Sequence, residues 1–139
     1  MGLIYADITI LNSFDITAAR KGLIAEEDIK KIDVKALVDT GAITLTINEA
    51  IASQLDLEVR ERIDVVLADG SHSKRDVVGP VDIRFKNRST SVRALVLPQS
   101  DEVLLGAIPL EGMDVIIDPL AEQLIVHPDR PYMAQMKAK

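Results

Sequence analysis

Short β-branched runs, each closed by Gly, Pro or Asp, recur from one end of this sequence to the other, and they restrict what the chain can fold into. "LIYADITILNSF" (3–14), "IDVKALVD" (32–39), "AITLTI" (42–47), residues 62–67, residues 75–85 and "TSVRALVLP" (90–98) each read as a strand. So do "EVLLGAIPL" (102–110), which contains a turn, "MDVIID" (113–118) and "QLIVH" (123–127). In 32–39 the residues Val34, Ala36 and Val38 share one face. Asp69-Gly70, between two strand runs, marks a hairpin, and Gly79-Pro80 interrupts the second of them. One segment has clear helix signals: in "NEAIASQLDL" (48–57), Asn48 suits the N-cap, Glu49 the first turn, and Ile51 and Leu55 stack at i, i+4. Residues 15–31 are polar and charged around Gly22 and read as a long excursion with a helical turn. Many short strands with a single short helix predict an all-β (mainly β) protein, closed or nearly closed into a small barrel.

At 139 residues the chain is long enough for one domain with its own core. Aromatic residues are only 3% and Trp is absent, so that core must come from Val, Ile, Leu and Ala. The net charge of −6 and the dispersed Lys and Arg argue against nucleic-acid binding. With no Cys and only two His, His72 and His127, disulfides and thiol chemistry are excluded and a metal site is not expected. The N-terminus has neither a basic region nor a long apolar stretch, Ala6 stands where a myristoylation signal wants Ser or Thr, and no run approaches the roughly 20 residues of a membrane helix. The expectation is a cytoplasmic protein with no membrane partner and no cofactor.

One stretch departs from ordinary punctuation. In "KALVDTGA" (35–42) an apolar strand ends in Asp39, Thr40 and Gly41. Asp and Gly are common turn residues, and most such tripeptides are structural. The same arrangement can aim a carboxylate rigidly: the strand fixes the backbone, Gly permits close approach of another chain, and Thr offers a hydroxyl to a neighbouring loop. A lone carboxylate is nevertheless a poor hydrolytic catalyst, because water attack on an amide needs a base and an acid. Two close carboxylates sharing one proton supply both roles. The chain has one Asp-Thr-Gly, and a two-fold dimer would bring two copies of Asp39 together.

"ALVDTGA" followed downstream by "VLLGAIPL" resembles the retropepsin-like (retroviral-type, clan AA) aspartic proteases, and most of all their bacterial and archaeal members. The similarity covers about residues 3–126, with a motif spacing somewhat longer than in viral enzymes and an Asp-Gly hairpin where the family has its flap. The resemblance implies a small acid-protease β-barrel that forms a homodimer with the active site on its axis, and a peptide or protein substrate. It implies that Asp39 is the catalytic carboxylate, that Thr40 hydrogen-bonds across the axis and that Gly41 lets the loop approach its mate. Ala42 and the hairpin tip, Ala68, Asp69, Gly70 and Ser71, would contact substrate, with residues 68–73 closing over it. Leu104, Leu105 and Gly106 would pack behind the catalytic loop. Ala42 lacks the hydroxyl of many pepsin-like lobes, which implies an activity optimum less acidic than pepsin's.

Other features have plainer readings. The tip "ADGSHS" is poorer in Gly than viral flaps, and His72 in it reads as a solvated turn residue. The 15–31 excursion has no counterpart in the minimal viral fold and is expected to shape the groove or add to the dimer interface. Residues 3–8 and 122–127 are the candidates for the interleaved termini of viral dimers. Asp114 and Asp118 bracket "VII" and read as flanking a core strand, with Asp118 opening the turn at Pro119; Glu26 to Asp28 read as a solvated face. The expected organisation is a protease domain over 1–127 and a flexible tail over 128–139. The competing expectation is a non-catalytic peptide-binding or assembly module on the same fold.

Overall fold

The structure, a computed structural model, describes residues 2–98 and 100–138; Met1 and Lys139, the outer ends of the two expected spans, lie outside it. Nine strands are described: β1 (Tyr5–Asn12), β2 (Lys31–Val38), β3 (Leu45–Ile47), β4 (Val59–Val66), β5 (His72–Phe85), β6 (Arg88–Val96), β7 (Val103–Leu105), β8 (Val115–Asp118) and β9 (Gln123–Val126). Six of them close in the order β1-β2-β7-β3-β6-β5, with β5 returning to β1. Closure removes the exposed sheet edges that short strands would otherwise present. The fourth strand lies outside the ring. It pairs with β5 alone, so the β4–β5 hairpin extends beyond the barrel and most of β4 is exposed.

Side-chain alternation builds the core. Ala6, Ile8 and Ile10 of β1 point inward with Ala36 of β2, and Leu45, Ile47, Val81, Ile83, Ala94 and Leu105 complete a core free of aromatic residues apart from Phe85. β1 runs antiparallel to β2, pairing Ile8 with Val34 and Ile10 with Ile32. Beyond residue 8 it also pairs with β5, Ile10 opposite Ile83, which closes the ring. Opposite Gly79-Pro80 the β5–β6 register shifts between Val78 and Val81; the strand carries on through the expected interruption, with a bulge.

Three short helices are described where the sequence signals one: α1 (Ser13–Arg20), α2 (Glu49–Gln54) and α3 (Ala107–Met113). The second is the expected one, with the Asn48 side chain accepting from the Ile51 N–H at 2.9 Å. The first replaces the end of the expected 3–14 strand. Asn12 is buried and divides its side chain: Oδ1 caps α1 by accepting from Asp15 N–H at 3.1 Å, and Nδ2 donates to the Leu55 carbonyl at 2.9 Å. With a 3-10 turn at Glu26–Asp28, this helix gives the 15–31 excursion a fold of its own, and Ile16, Ala19, Glu27 and Ile29 line a hollow there together with Leu11 and Arg84 of the sheet. The third helix carries Pro109 two residues after its start, where a missing N–H is tolerated. No helix among the described residues is long and apolar enough to cross a membrane.

Candidate active site

The loop 39–44 hangs between two strands that share a neighbour. β2 leads into it and β3 leaves it, and both pair with β7: Val38 is opposite Leu105 in parallel, and Leu45 is opposite the same Leu105 antiparallel. Leu104 and Leu105 thus brace both roots of the loop. The Asp39 N–H donates to the Leu105 carbonyl at 3.0 Å, the Ala42 N–H closes a turn onto the Asp39 carbonyl at 3.1 Å, and Thr44 Oγ1 donates to the Arg93 carbonyl at 2.8 Å. The N-terminus of α3 is tied to the same loop, Ala107 N–H to the Ala42 carbonyl at 2.8 Å and Ile108 N–H to the Ile43 carbonyl at 2.9 Å.

Gly106 is what lets these parts meet. A Cβ at this position would lie 2.4 Å from the Thr44 carbonyl oxygen and 2.5 Å from that of Ala42. Its φ of −93° suits any residue, so the requirement is space and not backbone conformation. Asp39 is half-buried, and its Oδ1 accepts the Gly41 N–H at 2.9 Å, which orients the carboxylate against its own loop. Thr40 and Gly41 are exposed.

A groove of about 780 Å³ opens beside the loop. Gly41, Ala42 and Ile43 line one part, Ile63, Asp64, Val65 and Val66 of β4 another, and Val77, Val92, Leu95 and Ile108 add apolar surface, with Thr44, Thr46, Ser91 and Arg93 among them. Its exposed lining is mainly apolar, as ligand sites commonly are. Asp39 and Thr40 line a separate hollow with Leu3, Ile4, Leu37, Val38 and Ile117. The loop therefore has groove on one part and an exposed apolar surface at the other.

The hairpin tip at 67–71 is turned by Gly70, whose φ is +85°, and by the Ser71 N–H and hydroxyl, which donate to Asp69 Oδ1 at 2.9 and 2.5 Å. Those two bonds hold the Asp69 carboxyl below its ordinary range. His72 opens β5, exposed, with Nδ1 2.6 Å from Asp64 Oδ2.

A model of the aspartyl protease family matches residues 25–107, more than half of the chain, spanning β2, the Asp-Thr-Gly loop, the β4–β5 hairpin and Leu-Leu-Gly. The chain belongs to this family of retropepsin-like aspartyl proteases. Membership supports a protease-type function. A search of curated proteins finds no match.

In this member of the aspartyl protease family the structure brings Asp39, Thr40, Gly41, Ala42, Leu104, Leu105 and Gly106 together around one loop. It does not bring Ala68, Asp69, Gly70 or Ser71 to the groove wall, which is lined by the preceding strand residues 63–66. No residue of the 15–31 excursion lines the groove either; that segment lines a separate hollow with Leu11 and Arg84. Sequence reasoning missed the groove-facing Ile63, Val65 and Ile108. Ile63 and Val65 alternate with charged or exposed neighbours on a strand that has no place in the ring, and that pattern was the available signal.

Asp114 and Asp118 do not form an acid pair on a strand. Asp114 is the left-handed C-cap of α3 and Asp118 accepts the Leu120 and Ala121 N–H groups in the turn after β8. Asp114 is instead a structural hub. Arg130 donates to it through Nε at 2.6 Å and Nη2 at 2.9 Å, the Gln135 N–H adds a third bond at 3.0 Å, and buried Arg88 lies 4.0 Å away. The Arg130 guanidinium, then the Gln135 amide, hold the Asp114 carboxyl well below the usual carboxylate range. A depressed folded-state value stabilises the fold at pH values above the unfolded-state range, roughly pH 4, and that stabilisation is lost as pH falls through the folded value. Asp114→Asn should therefore lower the urea midpoint by a constant amount from pH 7 to about pH 4, with the gap from the unsubstituted chain closing in stronger acid. A gap that widens on acidification would show that the ion pair is not its source.

Proposed function

We propose that the chain is an aspartic endopeptidase that works as a homodimer, each subunit supplying one Asp39 to a shared pair. The observation that carries the reading is the loop itself: it is braced by Leu104 and Leu105, it holds the Asp39 carboxylate in a hollow on one side, and its next residues, Gly41 to Ile43, line a mainly apolar groove. Among the described residues, the groove's one carboxylate is Asp64, which is engaged with His72 on the hairpin, and the hollow that holds Asp39 has no second acid in its lining. An acid and a base are both needed, so the partner copy is the natural source of the second.

The surface beside the loop favours such pairing. Exposed Thr40 borders two apolar hollows, one with Leu3, Ile4 and Ile117, the other with Leu110, Ile116 and Leu124. Covering them against a second copy would set Thr40 across the axis and bring the two Gly41 backbones close. Of the candidates for interleaved termini, 3–8 and 122–127, residues 5–8 already pair inside the chain with β2 and residues 123–126 with β8. In the proposed dimer they contribute surface and not strand exchange.

In the mechanism, an extended peptide lies in the groove with apolar side chains against Ile43, Ile63, Val65 and Ile108, and Ala42 and residues 68–71 contact it as the hairpin closes as a flap. One Asp39 carboxylate is ionised and takes a proton from a water held between the pair. The other, protonated, polarises the scissile carbonyl. The water oxygen bonds to the carbonyl carbon, and the amide nitrogen leaves with a proton. The Thr40 hydroxyls keep the two carboxylates in register, and the chemistry requires no covalent intermediate.

The test is concentration dependence. If the active unit is a dimer, specific activity on an unfolded protein substrate should fall on dilution in step with the dimer fraction measured by sedimentation. Constant specific activity down to monomer concentrations would refute the shared site. Peptide binding without cleavage at any concentration would instead favour a non-catalytic binding module.

A further inference from the structure

We propose that the hollow between the 15–31 excursion and the sheet binds a free apolar amino acid in its zwitterionic form. The hollow holds about 460 Å³, inside the roughly 300–1,000 Å³ of small-ligand sites, and shares no lining residue with the groove or with the hollow at Asp39. Its construction follows from the register of β1. Lys31 of β2 stands opposite Leu11, and Arg84 of β5 stands opposite Thr9, so these four share the face of the sheet turned away from Ala6, Ile8 and Ile10. Leu11 is nevertheless only 2% exposed, and with Ile16 of α1, 6% exposed, and half-buried Ile29 it gives the hollow an apolar part.

The rest of the lining is charged, with Arg20, Lys31 and Arg84 against Glu26 and Glu27. Among the described residues none of these five enters an ion pair. Their neighbours are matched: Lys30 Nζ lies 3.5 Å from Asp15 Oδ2, Ser13 Oγ donates to Asp82 Oδ1 at 2.6 Å, and Thr9 Oγ1 donates to Asp33 Oδ1 at 2.6 Å. Opposite charges that line one small hollow without pairing leave both signs available to a ligand.

A zwitterion uses every part of this lining. Its carboxylate goes to the Arg and Lys side chains, its ammonium group to Glu26 and Glu27, and its side chain to Leu11, Ile16 and Ile29. A plain anion would face the two Glu without compensation, and a plain cation would meet three bases. The site is also held before any ligand arrives. Asp15 Oδ2 accepts the Lys30 N–H at 3.0 Å and the Asn12 N–H donates to the Lys30 carbonyl at 2.9 Å, which fastens the end of the excursion to its start. Binding then orders little of the chain, which favours affinity for a small molecule.

The experiment is calorimetric titration of the full chain with L-leucine, beside glycine, N-acetyl-leucine and leucinamide, with the unfolding temperature as a second readout. Leucine is expected to bind and to raise that temperature. The other three lack the apolar side chain, the ammonium group and the carboxylate respectively, and each should bind at least about tenfold more weakly. Arg84→Gln and Glu27→Gln should each weaken leucine binding by at least about tenfold. Both side chains are exposed, so the urea midpoint should not move. Leucine that neither gives heat nor raises the unfolding temperature at about 10 mM overturns the proposal. So does equal binding of any of the three comparison compounds, or leucine binding that ignores either substitution. Binding is read without peptide cleavage, so each of these results leaves the protease reading to its own test.

Discussion

Asp39→Asn should lower peptide cleavage by at least about 10³-fold while leaving the barrel folded. The amide is nearly the same size as the carboxylate and its oxygen can still accept the Gly41 N–H, the one bond that holds Asp39 Oδ1 at 2.9 Å. What it cannot do is take a proton from water or share one with its mate. The loss should therefore appear in kcat, with an unchanged unfolding midpoint. Mixing experiments sharpen the result. If subunits exchange, equal amounts of substituted and unsubstituted chain leave about a quarter of dimers with two carboxylates, so activity should drop to about half that of the unsubstituted chain alone. Activity that ignores the added variant would mean that each chain works by itself, and the shared pair would have to be abandoned.

Gly106→Ala should destabilise the chain by about 3 kcal/mol and misplace the loop that carries Asp39. The added Cβ would meet two backbone carbonyl oxygens, of Thr44 at 2.4 Å and Ala42 at 2.5 Å, and no rotamer change can relieve a clash with backbone. Relief requires the loop to move. The Ala42 carbonyl that would have to shift is the one accepting the Ala107 N–H at 2.8 Å, so α3 would lose its anchor as well. Both a lowered urea midpoint and a fall in activity are expected. Gly41 offers the contrast, since a Cβ there meets only Asp39 Oδ1 at 3.2 Å, the end of a side chain. A Gly106→Ala chain with unchanged midpoint and activity would show that the loop is not held as described.

Much of this could be read in one dimension. Val34, Ala36 and Val38 alternate, and they share a face of β2. Asn48 sits where a cap belongs, and it caps. Asp118 begins the turn before Leu120. These are local matters, set by side-chain period and by bonds that reach two or three residues. The α1 helix was harder to see: Asn12 could be read as the end of a strand, and its role depends on Leu55, which lies far along the chain.

The sequence by itself determined the short strands, the hairpin at Asp69-Gly70, an aliphatic core and the family signature in Asp39 to Gly41 with Leu104 to Gly106. Only the tertiary structure decided that β4 falls outside the six-strand ring, so that Ile63 to Val66, and not the tip, form the groove wall. It also decided that Leu105 braces both roots of the loop, and that Asp114 anchors Arg130 instead of joining Asp118. The reason is physical. Strand formation follows local alternation, but which strand a segment pairs with, and what a carboxylate then faces, depends on partners tens of residues away whose match is a property of the closed barrel.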